Sequence, residues 1–185
     1  MLWLTLMRHA KSDWTDDTLR DFDRPLNTRG EKSAPLMGRH LKALWSRPGS
    51  PLEGVPPPDH VLVSPAVRTR LTYERTKSTW PGLPAAEWTP SLYDAGADDI
   101  LAVIKKAPAT ARHVIVIGHN DGLAELANDM LKAPPPRDIA SDLSKFPTAA
   151  VAIMSLPQTS WPRVALNTAT LLHFMTPKRL IALKT

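Results

Sequence analysis

Leu2-Trp3-Leu4-Thr5-Leu6-Met7 opens the chain as a nearly continuous apolar run that stops at Arg8-His9-Ala10-Lys11-Ser12. A short apolar run without alternation is the pattern of a strand buried on both faces. His60-Val61-Leu62-Val63 and His113-Val114-Ile115-Val116-Ile117 repeat that pattern, the last most clearly, and end at Ser64-Pro65 and Gly118-His119-Asn120. Helical spacing falls between these runs. Met37, Leu41, Leu44 and Trp45 share one face of a helix running to about Trp45. Thr28 and Glu31 fit a capping box at its start, and Pro35 predicts either a kink or a later start with Ser33 as cap. Ser64-Pro65 reads as a cap followed by proline at the first position of a second helix, ending near Lys77. Arg68, Thr72 and Arg75 would lie along one face of it. Asp98 to Lys106 and Gly122 to Leu131 read as two more helices, Ala86 to Trp88 as a weak strand, and Ala149 to Leu156 and Val164 to Phe174 as two further strands.

The order strand, helix, strand, helix, helix, strand, helix predicts an α/β fold, a sandwich around a mostly parallel central sheet. Three chemically capable clusters, Arg8-His9, Ser64-Pro65 with Arg68, and Gly118-His119, each follow a strand directly. In open α/β sheets ligands gather at the carboxyl ends of the strands, so all three can converge on one pocket. Asp13 to Asn27 is a polar loop with five aspartates and little periodicity.

Composition narrows the classes. At 185 residues with 43% apolar and 22% charged positions, residues 1–185 form one domain with a core, not a disordered segment. No apolar run approaches the roughly 18 residues of a membrane span, and Arg8-His9 cuts the first run too short for a signal-peptide core. No cysteine is present, which removes disulfides, thiol nucleophiles and thiolate metal sites and fits a cytoplasmic location. The formal charge of +5 comes from dispersed residues with no nucleic-acid motif. Nucleic acid is therefore not the expected partner, and a positive field draws phosphorylated substrates equally well. The nineteen prolines cluster between elements and read as connections. The scattered tryptophans read as core packing, and His40, His60, His113 and His173 as structural or surface residues.

Two histidines and two or more arginines at strand ends suit phosphoryl transfer to imidazole. A neutral imidazole must aim one nitrogen at phosphorus while the other is held by a hydrogen bond. Arginine forks match phosphate oxygens in pairs and offset their charge, so the chemistry needs neither a metal nor another cofactor. No glycine-rich loop ending in lysine and serine or threonine offers a P-loop alternative.

Leu6-Met7-Arg8-His9-Ala10 resembles the Arg-His-Gly signature of the histidine phosphatase superfamily. It is closer to the SixA-like phosphohistidine phosphatase branch, where Arg-His-Ala-Lys-Ser is a familiar variant. Arg24-Pro25-Leu26 with Gly30, Ser64-Pro65-Ala66-Val67-Arg68 with Thr72, Leu92-Tyr93-Asp94, Gly118-His119-Asn120 and Phe146-Pro147-Thr148 follow in the expected order, so the resemblance spans roughly residues 4 to 156. It implies a phosphoglycerate mutase-like three-layer α/β/α sandwich and a phosphatase with His9 as the nucleophile that becomes phosphorylated. Arg8 and Arg68 would clamp the phosphoryl oxygens, and His119 would donate a further hydrogen bond. Arg24 would contact substrate or phosphate, and the Asn120 amide would add a donor. Larger relatives carry a glutamate general acid after the third strand, and Asp94 is the nearest equivalent. Thr15 stands where mutase-type relatives carry asparagine. The substrate implied is a phosphohistidine-bearing protein. The alternatives are a broad phosphatase of small phospho-substrates and a non-catalytic phosphate-recognition module.

Overall fold

The structure, a computed structural model describing residues 1–183, contains six strands and six helices of six residues or more among those residues. In chain order they are β1 (Leu2–Arg8), α1 (Thr28–Ser46), β2 (His60–Val63), α2 (Val67–Thr79), β3 (Ala86–Trp88) and α3 (Ala97–Ile104). There follow β4 (His113–Gly118), α4 (Gly122–Met130), α5 (Arg137–Lys145), β5 (Val151–Leu156), β6 (Thr170–Met175) and α6 (Pro177–Ala182). The strands form one sheet in the order β3-β2-β4-β1-β5-β6. The β3-β2, β2-β4 and β4-β1 pairs are parallel, and β5 runs antiparallel to both its neighbours.

Strand alternation divides the core in two. Leu2, Leu4, Leu6, Val114 and Val116 face one side, packed with Ile100, Leu126 and Leu143 of α3, α4 and α5. Met7, Val61, Ile115 and Ile117 face the other, packed with Met37, Leu41, Tyr73 and Leu180 of α1, α2 and α6. Both faces are thus covered, which explains why the central strands read as unbroken apolar runs. Each fully buried Leu, Ile or Met contributes about 1.5–3 kcal/mol relative to exposure.

Register sets the site. Arg8 pairs with Gly118 and Val63 with Ile117, so the chain leaves β1, β2 and β4 at nearly one level. The Ser64 amide donates to the Ile117 carbonyl at 3.0 Å, and the His9 amide to the Gly118 carbonyl at 3.0 Å.

Several local expectations are corrected. Helix α1 neither kinks apart nor starts late. It begins at Thr28 with Asn27 as cap, whose side chain accepts from the Gly30 amide at 3.0 Å, and runs through Pro35 unbroken. Glu31 is not in a capping box; it meets Arg75 of α2 at 2.6 Å. Interior proline costs a helix about 3 kcal/mol, which burial along the α1–α2 and α1–sheet contacts outweighs. Ser64 does not cap α2, which starts at Val67 with no side-chain cap. Helices α5 and α6 were not predicted. Ile139 and Leu143 are the only buried positions of α5, and α6 has just six residues, so neither shows a full helical period. The last strand begins at Thr170, after a short 3-10 turn at Trp161–Arg163.

Candidate active site

The loop after β1 and the first turn of α2 meet in a cleft of about 230 Å³ lined by Arg8, His9, Lys11, Ser12, Trp14, Asp21, Arg68 and Thr148. His119, after β4, meets Arg68 of that lining at 3.1 Å. His9 leaves the end of β1 and is only 7% exposed. Its Nδ1 lies 2.7 Å from its neighbour's carbonyl, that of Ala10. A carbonyl only accepts, so Nδ1 carries the proton and Nε2 keeps its lone pair. Burial, joined by the charges of His119, Arg68 and Arg8, pushes the His9 pKa down to about 3 against the partial support of the Ala10 carbonyl. The ring is therefore neutral at physiological pH.

His119, at the end of β4, is held differently. Arg68 Nη2 donates to its Nδ1 at 3.1 Å, which leaves Nε2 protonated and donating to Ser64 Oγ at 2.7 Å. Burial, then the Arg68 charge, lowers its pKa to about 3. The two imidazole centroids stand 5.3 Å apart.

Arg68 sits on the first turn of α2, buried to 7% exposure. Its Nη1 donates to the Asp21 carbonyl at 2.6 Å and its Nη2 to Asp21 Oδ2 at 2.8 Å. The Tyr93 hydroxyl donates to the same carboxylate oxygen at 2.9 Å. Burial pushes the Asp21 carboxyl up, but the hydrogen bonds of Tyr93 and Arg68 and the Arg68 charge outweigh it, so Asp21 titrates below its usual range. Arg8 donates through Nη1 to the Phe146 carbonyl at 3.0 Å, and its buried Nε has no protein partner.

The backbone behind these groups is tied together. Thr72 of α2 accepts from the Ala10 amide at 2.9 Å and donates to the Arg68 carbonyl at 2.7 Å, linking the loop after His9 to the helix that carries Arg68. The Lys11 carbonyl accepts from the Asn27 amide at 3.0 Å, and a Cβ on Gly30 would collide with that carbonyl. Glycine is thus the residue that lets α1 approach the loop after His9.

The structure brings Arg8, His9, Arg68 and His119 together, and places Arg24, Asp94 and Asn120 around them. Arg24 is buried beside the cleft, donating to the Asp16 carbonyl at 2.8 Å with its guanidinium 4.2 Å over the Trp14 ring. Asp94 is exposed, takes a left-handed φ of 51° and directly follows Tyr93, whose hydroxyl reaches Asp21. Asn120 directly follows His119, and its side-chain amide donates to the Lys145 carbonyl at 2.8 Å.

Sequence reasoning missed Ser64 as a partner of His119, and Asp21 as the carboxylate in the cleft. The run of five aspartates offered no signal to single out Asp21. It also misread Trp14, which is 59% exposed at the cleft mouth and not part of the core. His113, by contrast, is structural as expected. Its Nδ1 donates to the Pro56 carbonyl at 2.7 Å and its Nε2 accepts from Thr5 Oγ1 at 2.8 Å.

No family model matches the chain. An uncharacterized protein of Mycobacterium tuberculosis, Rv1276c, is 30% identical over 174 residues, 93% of this chain and all of that one. A solved structure assigned as the phosphohistidine phosphatase SixA from Nakamurella multipartitia superposes with a TM-score of 0.74. It is 30% identical, over 95% of this chain and 96% of that chain. The protein histidine phosphatase SixA complexed with tungstate superposes with a TM-score of 0.68 at 25% identity, over 97% and 99% of the two chains.

Proposed function

The chain belongs to the SixA-like branch of the histidine phosphatase superfamily, and from that premise we propose that it removes the phosphoryl group from phosphohistidine in a protein, through a covalent intermediate on His9. The observation that carries this reading is the held His9 ring. With Nδ1–H on the Ala10 carbonyl, Nε2 is bare, neutral and flanked by two guanidinium groups.

In the first step the Nε2 lone pair attacks phosphorus, the P–N bond to the substrate imidazole breaks, and that imidazole leaves with a proton taken from solvent water. Arg8 and Arg68 offset the charge on the equatorial oxygens, and the unpartnered Arg8 Nε is a donor available to them. That charge would otherwise have to come from a metal ion. His119 holds Arg68 in place through Nδ1, while Ser64 holds the ring through Nε2–H. In the second step water attacks phosphorus, the P–Nε2 bond breaks, and phosphate departs with His9 restored. The Asn120 amide would add a donor, and Arg24 would steady Trp14 at the mouth, where it meets substrate.

Leaving-group chemistry supports phosphohistidine over alkyl phosphoesters. An alkoxide needs a strong acid to leave, while a protonated imidazole does not. Asp21 is held ionised by Arg68 and Tyr93, so it cannot give a proton, and exposed Asp94 takes an auxiliary part. The tungstate held by one SixA relative is a phosphate-like oxyanion, consistent with such a pocket here. No helix among the described residues is long and apolar enough to cross a membrane, and a cytoplasmic phosphorelay protein is the substrate type we assign.

The test is hydrolysis of a phosphohistidine-bearing protein and of p-nitrophenyl phosphate side by side, with wild type and His9→Ala. Phosphohistidine turnover that vanishes in the variant, with an acid-labile phosphoenzyme trapped only in wild type, is the expected result. Turnover confined to p-nitrophenyl phosphate would make it a small-molecule phosphatase, and phosphate binding without any turnover a recognition module.

A further inference from the structure

A second, larger concavity lies between α1 and α6. It encloses about 620 Å³ and is walled by Arg29, Lys32 and Leu36 of α1 and by Pro177, Lys178 and Ile181 of α6. Its floor is apolar, and Ile181 is 55% exposed over it. Its rim carries three cations and no carboxylate. The neighbouring charges are turned elsewhere: Glu31 to Arg75 at 2.6 Å, and Arg179 to Asp138 at 2.7 Å. Among the described residues, Arg29, Lys32 and Lys178 make no ion pair.

The groove connects with the cleft. A hollow of about 670 Å³ shares Lys11, Ser12 and Trp14 with the cleft and Thr28 and Arg29 with the groove. One concave track therefore leads from the pocket of His9, past the exposed Trp14, onto the basic, apolar groove. From Thr28 to Leu36 the groove follows α1 for about 12 Å, at roughly 1.5 Å per residue. A phosphoryl group fills only the cleft, so the rest of the track fits what is attached to it.

We propose that the α1–α6 groove docks an acidic, amphipathic segment of the phosphoprotein substrate next to its phosphohistidine. The proposal rests on the phosphohistidine reading above. The apolar face of the segment would cover Leu36, Pro177 and Ile181, while its carboxylates meet Arg29, Lys32 and Lys178, as in helix-in-groove recognition. Charge of this kind sets partner choice and encounter more than bulk affinity.

The test uses two phosphohistidine peptides of about 20 residues, long enough to span some 30 Å as a helix. One is flanked by a glutamate and leucine pattern, the other by lysine and leucine. Wild type is expected to favour the acidic peptide by about tenfold in kcat/KM, carried by KM and narrowed by salt. The combined variant Arg29→Glu, Lys32→Glu, Lys178→Glu should cancel or invert that preference and leave turnover of free phosphohistidine within about twofold. Equal use of both peptides by wild type, or a preference that survives the charge reversal, overturns the docking site alone. A dimer that Ile181→Asp dissociates overturns it in favour of a second copy of the chain. Cleavage of p-nitrophenyl phosphate with neither peptide touched overturns the phosphohistidine reading, and the groove's assigned occupant with it.

Discussion

His9 at the end of β1 and His119 at the end of β4 sit side by side, equally buried and equally discharged, yet they are wired for opposite tasks. Both pKa values fall to about 3, chiefly by burial. His9 spends one nitrogen on a backbone carbonyl and leaves the other free, while His119 spends one on Arg68 and the other on Ser64. On the mechanism proposed above, the same side chain at equivalent strand ends serves as a nucleophile in one place and a brace in the other. The difference lies in hydrogen-bond partners, since burial and charge act on the two alike.

Removing each ring separates them most sharply. His9→Ala should lower kcat by about 10⁴-fold or more in single-turnover assays, while vanadate still binds, because the covalent step has no substitute. His119→Ala should cost about 10²–10³-fold, the scale of an arginine displaced from the transition-state oxygens. Equal losses in the two variants would erase the distinction.

Ser64→Ala probes the brace more finely. With no acceptor left for Nε2–H, the ring is freer to rotate and kcat should fall about tenfold, near the value of one buried hydrogen bond. Ser64→Thr should restore most of it. An unchanged Ser64→Ala enzyme would show that Arg68 alone holds His119.

The two carboxylates come next. Asp21→Asn takes a negative charge from beside the phosphate position and should tighten inorganic phosphate binding about threefold, read by calorimetry. Asp94→Asn should alter phosphohistidine turnover less than about twofold, because a protonated imidazole leaves without a strong acid. A larger loss confined to alkyl phosphoesters would restore Asp94 as an acid.

The smallest expected effect is an absent one. A histidine of ordinary pKa near 6.5 would lose about tenfold in neutral fraction by pH 5.5. Both site histidines resist protonation until about pH 3, so neither imidazole should show a titration step by NMR between pH 7.5 and 5.5, while kcat/KM there follows the substrate's own imidazole. Stability follows the other side of this linkage. The unfolded chain takes up protons below pH 6.5 that folded His9, His119, His113 and His173 refuse down to about 3 or 4. Stability is then complete above pH 6.5 and is lost progressively as the pH falls through that window, measurable as a declining Tm.

What the sequence by itself determined was the layering of the fold and the four residues at its centre. Apolar runs of β1, β2 and β4 mark strands covered on both faces, and a polar cluster after each run locates the strand ends, because parallel strands place those ends on one edge. Helix starts were less legible. Asn27 outcompeted Thr28 as a cap, and Pro35 was absorbed by packing, because burial against the sheet and α2 outweighs local propensity. Tertiary structure alone decided which carboxylate stands in the cleft, which serine braces His119, and that Trp14 faces outward. Each of these depends on contacts between positions far apart in the chain, Asp21 with Arg68 and Tyr93, Ser64 with His119. A loop of similar aspartates carries no periodicity to tell them apart. Only the packed sheet and helices bring one of them to the arginine.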